Sequence, residues 1–209
     1  FLDAYDRARR LSYPEVLRGL ALAARALPQP QPRELLQQLC AQVCAPQHLP
    51  PGLLGAVCHP SEASPELLQV QGGARPGLEQ LLAVRSSFSG SVLALNALRA
   101  EHARALSRVL FLTPHFPAFL LRRRLRSHVL EIRDLDRALL HLGPGQLSEE
   151  ELRAACYLRG LNPTRLGRAE CRAWLEQWLR LSCELRASEA SLLAHSMVLL
   201  SLNYRQAPE

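Results

Sequence analysis

The chain of 209 residues holds 45 leucines but only 12 β-branched residues, a balance that argues against a large sheet and for helices. With 48% hydrophobic and 21% charged residues it is too apolar for a disordered chain, and no apolar run approaches the roughly 18 residues a membrane helix needs. The net charge of +6 rests on 25 arginines against 19 acids, with no lysine.

In chain order, Phe1–Ser12 and Pro14–Ala26 read as two helices, with Pro14 suited to a first turn. Residues Pro28 to Pro32 form a break, and a helix resumes over Arg33–Cys44 with Leu35, Leu36, Leu39 and Val43 on one side. Residues 45–77 are rich in proline and glycine and read as an irregular insertion, with short helices possible at 51–58 and 65–71. Leu78–Ser86 is the next expected helix, and Ser89 or Ser91 is the expected cap of a longer one reaching Phe111. Thr113-Pro114 ends it, and Phe116-Pro117 leads into a long helix that stops near Gly143. There Leu125, Val129, Ile132, Leu135, Leu139 and Leu142 make one apolar stripe, while Arg126, Arg133 and Arg137 with Glu131, Asp134 and Asp136 are assigned to the opposite face.

Ser148 and Glu151 form a capping box, with Glu149 and Glu150 between them adding favourable charge at the helix start. That helix is expected to end at Gly160, in the left-handed position that terminates helices. Arg168–Cys183 is amphipathic through Cys171, Trp174, Leu175, Trp178 and Leu181, and Ser188 is the expected cap of a last helix running to about Tyr204. The reading is an all-α array of about eight to ten helices in a single domain over 1–209.

Few residues point to chemistry. The sequence has no glycine-rich nucleotide loop, no zinc-protease pair and no nucleophile elbow. Asp134-Leu135-Asp136 starts like a calcium loop but lacks the later oxygen ligands and the central glycine. Cys40, Cys44, His48, Cys58 and His59 are the residues that could collect a metal. Their spacing does not form zinc knuckles, so reduced, buried thiols in a reducing compartment are the simpler reading. The seven histidines are assigned to surfaces and helix ends, and Trp174 and Trp178, one turn apart, to the core or less simply to base stacking. No enzyme, cofactor, metal or small-molecule substrate is expected.

The charge is spread evenly: residues 1–113 carry 11 arginines against 8 acids, and residues 114–209 carry 14 against 11. The excess fits a partner rich in phosphate, such as RNA or anionic lipid, which guanidinium binds with a bidentate fork. It fits an ordinary soluble protein as well, and codons rich in G and C would favour arginine, alanine, leucine and proline together. The densest basic cluster, Arg122, Arg123, Arg124 and Arg126, is the candidate phosphate or ribosome contact; otherwise it is a solvated rim.

The runs Gln146–Asn162, Cys171–Leu179 and Ser191–Tyr204, in that order, resemble the ribosome-binding domain of the LETM family of mitochondrial inner-membrane proteins. The match is strong over about 106–204, looser over Phe1–Arg18 and negligible in the proline-rich middle. The resemblance implies a helical domain of 14-3-3-like architecture on the matrix side, binding the mitochondrial ribosome and tethered by a membrane segment upstream of Phe1. A first residue other than methionine fits a segment of a longer protein. Longer family members are tied to cation/proton exchange, and an accessory role in exchange is one alternative. A second resemblance covers residues 148–183, whose helix, Arg-Gly-Leu turn and helix are similar to a SAP-type nucleic-acid-binding module. Glycine-terminated helix pairs also look alike for reasons of helix termination alone.

Overall fold

The computed structural model describes residues 2–43 and 76–201. The short helices expected at 51–58 and 65–71, and Cys44, His48, Cys58, His59 and Tyr204, lie outside the described residues. The all-α class holds, with no strand among the described residues. The α-helices are α1 (Leu2–Arg10), α2 (Tyr13–Arg25), α3 (Pro30–Val43), α4 (Leu78–Ala83), α5 (Ala100–Val109), α6 (Ala118–Leu142), α7 (Glu149–Leu158), α8 (Arg168–Glu184) and α9 (Ala190–Leu199). No helix among the described residues is long and apolar enough to cross a membrane.

The final helix organises the rest. Every residue of α9 is buried, as a helix apolar on all sides must be. It packs against α2, α5, α6 and the 3-10 turn Arg85–Phe88. Helix α3 lies on α2, while α8 packs against α4, α6 and α7. Two polar residues of α9 are satisfied internally: the Ser191 hydroxyl donates to the Leu93 carbonyl, and His195 bonds both its own helix and α5, while the buried Ser196 hydroxyl has no hydrogen-bond partner among the described residues.

The boundaries agree with the chain's capping chemistry in most places. α3 starts at Pro30, three residues before the expected Arg33, because Pro30 and Pro32 are tolerated in a first turn that has no donors to lose. Ser148 Oγ accepts from the Glu151 N–H at 3.3 Å and Glu151 returns a bond to the Ser148 N–H at 2.8 Å.

α7 ends as predicted, with Gly160 N–H bound to the Tyr157 carbonyl, Leu161 N–H bound to the Cys156 carbonyl, and Gly160 at φ 98°. A Cβ at Gly160 would sit 2.9 Å from the Met197 carbonyl oxygen, so glycine also sets how closely α7 approaches α9. Gly160→Ala is expected to cost about 2 kcal/mol, from the left-handed backbone and the displaced α9 together. A urea-unfolding midpoint equal to wild type would refute this.

Two expected caps do not form. Ser91 bonds the Ser87 carbonyl and accepts from the Leu93 N–H at 3.1 Å, which stabilises a run of turns, so α5 starts only at Ala100. Before α9, the Glu189 carboxylate accepts from the Arg186 N–H at 2.8 Å and closes a 3-10 turn over Ala187–Glu189, leaving Ser188 without a capping role.

The apolar stripe of α6 is right for half its length. Leu125, Val129 and Ile132 are buried, but Leu135 is 48% and Leu142 59% exposed. The buried line continues instead through Arg133 and Asp136, which had been assigned to the outer face.

Candidate functional site

The four candidate arginines sit in the second and third turns of α6, which Pro117 starts without a side-chain cap. They do not act as one unit. Arg122 is half-buried and its Nε donates to the Leu98 carbonyl at 2.7 Å, tying α6 to the turn before α5. The Arg124 guanidinium lies over the Phe116 ring, 5.0 Å from its centroid. Arg123 and Arg126 are exposed and make no ion pair or side-chain hydrogen bond among the described residues. Phe119, 66% exposed, precedes Arg123 by four residues and Arg126 by seven, on the same helix face. No acid occurs on α6 before Glu131, where Glu131 and Asp134 help line a shallow hollow with Ser127, Leu130 and Leu135.

Two polar centres in the core were not singled out by the sequence reading. Asp136 is fully buried and takes Arg159 Nε on Oδ1 at 2.6 Å, Trp178 Nε1 on Oδ2 at 3.0 Å, and the Ser182 hydroxyl on Oδ2. This joins α6, α7 and α8. Nearby, Arg133 donates through Nε and Nη2 to the Leu185 carbonyl at 3.1 and 2.5 Å, capping the end of α8. The second centre is a histidine pair: His102 Nε2 and His195 Nε2 are 2.9 Å apart, and His195 Nδ1 lies 2.7 Å from the Ser191 carbonyl oxygen. Both rings are buried, correcting the surface assignment made for the histidines. His102 also lies against Gly19 of α2, where a Cβ would come within 2.6 Å of the ring. Only the spacing of chemically distinct residues on helices far apart in sequence could have signalled these contacts, and a single chain does not encode it visibly.

Trp174 and Trp178 are buried and stacked at 5.6 Å, so neither ring is available for a base. The Cys40, Cys156 and Cys171 thiols are buried as expected, and burial pushes Cys156 up to about 12. No cluster of three or more histidine, cysteine or acidic side chains suited to a metal exists among the described residues.

The α7–turn–α8 hairpin is covered by α1. Asn162 Nδ2 donates to Asp3 Oδ1 at 2.9 Å and to Asp6 Oδ2 at 3.4 Å, and Thr164 Oγ1 donates to Asp3 Oδ1 at 2.8 Å. The Asn162 and Thr164 hydrogen bonds hold the Asp3 carboxyl below its usual range. Arg9 locks the other end of α1: its guanidinium lies 4.9 Å from both the Phe111 and Tyr157 ring centroids and donates twice to the Tyr157 carbonyl, at 3.2 and 3.3 Å. Phe111, at φ 55°, occupies the left-handed end of α5 where glycine is usual, and Tyr5 meets its ring edge-on at 5.6 Å. A phosphate approaching the turn would meet carboxylates.

A family model described as "LETM1-like, RBD" matches residues 61–199, a stretch that holds α4 to α9 and every residue of the arginine, aspartate and histidine centres above. The chain belongs to the LETM1-like ribosome-binding-domain family. It is 48% identical over 207 residues to the LETM1 domain-containing protein 1 of Xenopus tropicalis, covering 99% of this chain and 51% of that protein. The human protein of the same name is 39% identical over 204 residues, 98% of this chain and 49% of that one. The chain therefore spans about half the length of these curated relatives. No solved structure matches it. The similarity to these LETM1-family proteins extends through α1 to α3, beyond the residues of the family model, in keeping with the joining of α1 to α7 and the turn after it.

Proposed function

We propose that this domain binds the mitochondrial ribosome, without catalysis, cofactor or small-molecule substrate. In the full-length protein it would face the matrix, held to the inner membrane by a segment upstream of Phe1. Membership of the ribosome-binding-domain family carries the reading, and the acid-free arginine face of α6 gives it a physical contact. Tethering would raise the effective concentration of domain and ribosome at the membrane, so even modest contact affinity suffices to keep translating ribosomes there. The nucleic-acid reading of residues 148–183 is weakened by the α1 carboxylates on the turn and by the burial of Trp174 and Trp178.

The test is co-sedimentation of the whole chain with mitochondrial ribosomes across a salt series. Reversing all four arginines would also break the Arg122 tie to Leu98, so the informative variant is Arg123→Glu with Arg126→Glu. Wild type is expected to sediment at low salt and be released as salt rises. The variant should bind at least about tenfold more weakly, with a salt dependence flatter by about two charges. An unchanged variant would remove the α6 face from the interface, and a wild type that never sediments would remove the function.

A further inference from the structure

We propose that the start of α6 is a platform for single-stranded RNA, on which Phe119 stacks an unpaired base while Arg123 and Arg126 hold the flanking phosphates. The proposal rests on the ribosome-binding reading and deepens it, naming ribosomal RNA as what this face touches.

Three observations converge on it. Phe119 is 66% exposed, whereas the other phenylalanine, tyrosine and tryptophan rings among the described residues are buried or packed against neighbours, so its face is open to a flat partner. Arg123 and Arg126 share that face, and neither has an ion-pair or hydrogen-bond partner among the described residues, whereas Arg122 and Arg124 are occupied by Leu98 and Phe116. The first acid on the helix is Glu131, so the start of α6 presents cationic forks with no acid of its own to compete.

The chemistry of this arrangement selects among anionic partners. A nucleotide offers both a π-face for the ring and phosphate oxygens for the guanidinium forks, and stacking tolerates any base. An acidic peptide would satisfy the arginines and leave Phe119 against water. A lipid surface would use the arginines, but insertion calls for a broad apolar face, and Phe119 is the one phenylalanine, tyrosine or tryptophan on α6, followed by exposed Arg123, Arg124, Arg126 and Ser127. Duplex RNA hides its base faces, so an unpaired loop or bulge is the expected target.

The experiment measures binding of the whole chain to a fluorescently labelled, uridine-rich single-stranded oligoribonucleotide. The same RNA as a duplex, a polyglutamate peptide, and vesicles of phosphatidylcholine with phosphatidylglycerol serve as competitors. Ribosome co-sedimentation is measured in parallel. Phe119→Ala, at a solvent-exposed position, is expected to weaken single-strand binding about tenfold, and Phe119→Trp to preserve it. Arg123→Glu with Arg126→Glu should reduce binding further and flatten its salt dependence. Duplex RNA should bind more weakly and be indifferent to Phe119.

Equal single-strand affinity for Phe119→Ala and wild type overturns the proposal. So does tighter binding to polyglutamate or vesicles than to the oligoribonucleotide. Either result obtained while wild type still sediments with ribosomes leaves the ribosome reading standing. Loss of wild-type sedimentation overturns that reading, and the proposal with it.

Discussion

Asp136→Ala is expected to destabilise the domain by about 3–5 kcal/mol, seen as a fall of about 10 °C in Tm for a chain of this length. The size of the effect does not come from the strength of the ion pair as such. Attraction between Asp136 and Arg159 at 2.6 Å is largely offset by the desolvation of both groups. It comes from what the substitution leaves behind. Arg159 is buried, and without the carboxylate it keeps only its bond to the Ala155 carbonyl at 2.7 Å while still carrying a full charge. Trp178 Nε1 and the Ser182 hydroxyl lose their acceptor in the same step, each a buried donor whose orphaning costs about 1–3 kcal/mol, though not additively. Removing both charges at once, as Asp136→Leu with Arg159→Met, should therefore be milder than Asp136→Ala alone. A double variant less stable than the single would mean that the ion pair itself contributes the stability. A single variant within 1 kcal/mol of wild type would mean that water replaces the carboxylate.

Asp136 also shows what the sequence could and could not disclose. Leucine richness, the proline breaks, the Ser148–Glu151 box and the Gly160 stop are local signals, and the helices they predict are present. The α6 stripe failed after Ile132 because periodicity records only apolarity. Leu135, Leu139 and Leu142 continue the pattern on paper, yet the helix facing α6 there offers an indole N–H, a hydroxyl and a free carbonyl at Trp178, Ser182 and Leu185. Polar atoms in a core must be met by polar partners, so Asp136 and Arg133 turn inward and the leucines lie partly in solvent. Complementarity of this kind joins positions 42 to 52 residues apart and leaves no trace in the spacing of either.

The arginines make a similar point. As a composition they suggested a phosphate partner or a codon bias. In the fold, Arg9, Arg33, Arg122 and Arg133 all donate to main-chain carbonyls at or near helix ends, three of them with two nitrogens on one oxygen. Arg153, Arg159 and Arg168 also reach carbonyls. A planar fork can bind a carbonyl while its charge favours the negative end of a helix. Such tasks absorb much of the basic side-chain inventory, which is why the candidate cluster, four arginines on paper, reduces to Arg123 and Arg126 with Phe119 on the same face. The exposed aromatic was legible as a residue but not as a site, because only the structure shows which arginines around it are already committed.

Mild acid, between pH 6.5 and 5, is expected to destabilise this domain through two buried histidines. His195 Nδ1 faces a carbonyl oxygen, which can only accept, so that nitrogen carries the proton of the neutral ring. His195 Nε2 is then an acceptor, and the His102 Nε2–H must be its donor. This arrangement holds two neutral imidazoles. Adding a proton to His195 Nε2 sets N–H against N–H, and adding one to His102 Nδ1 places a charge in a buried site walled by the Phe88 ring and by α2 at Gly19. Burial accordingly lowers His195 from 6.5 to about 4, and burial together with the neighbouring His195 lowers His102 well below 6.5. The unfolded chain takes up protons at both positions as pH falls through 6.5 while the folded chain does not, so stability is complete above that pH and lost below it. His195 alone accounts for about 2 kcal/mol by pH 5, and His102 acts in the same direction. Half-buried His128 on α6, also lowered by burial, adds a smaller contribution of the same sign. Urea-unfolding midpoints should therefore drop steeply between pH 6.5 and 5, and His102→Gln with His195→Gln should flatten the slope. If that variant does not fold, the imidazole proton resonances of wild type decide the matter. They should remain those of neutral rings down to pH 5, and titration of either near 6.5 in the folded chain would show that the pair is not held neutral.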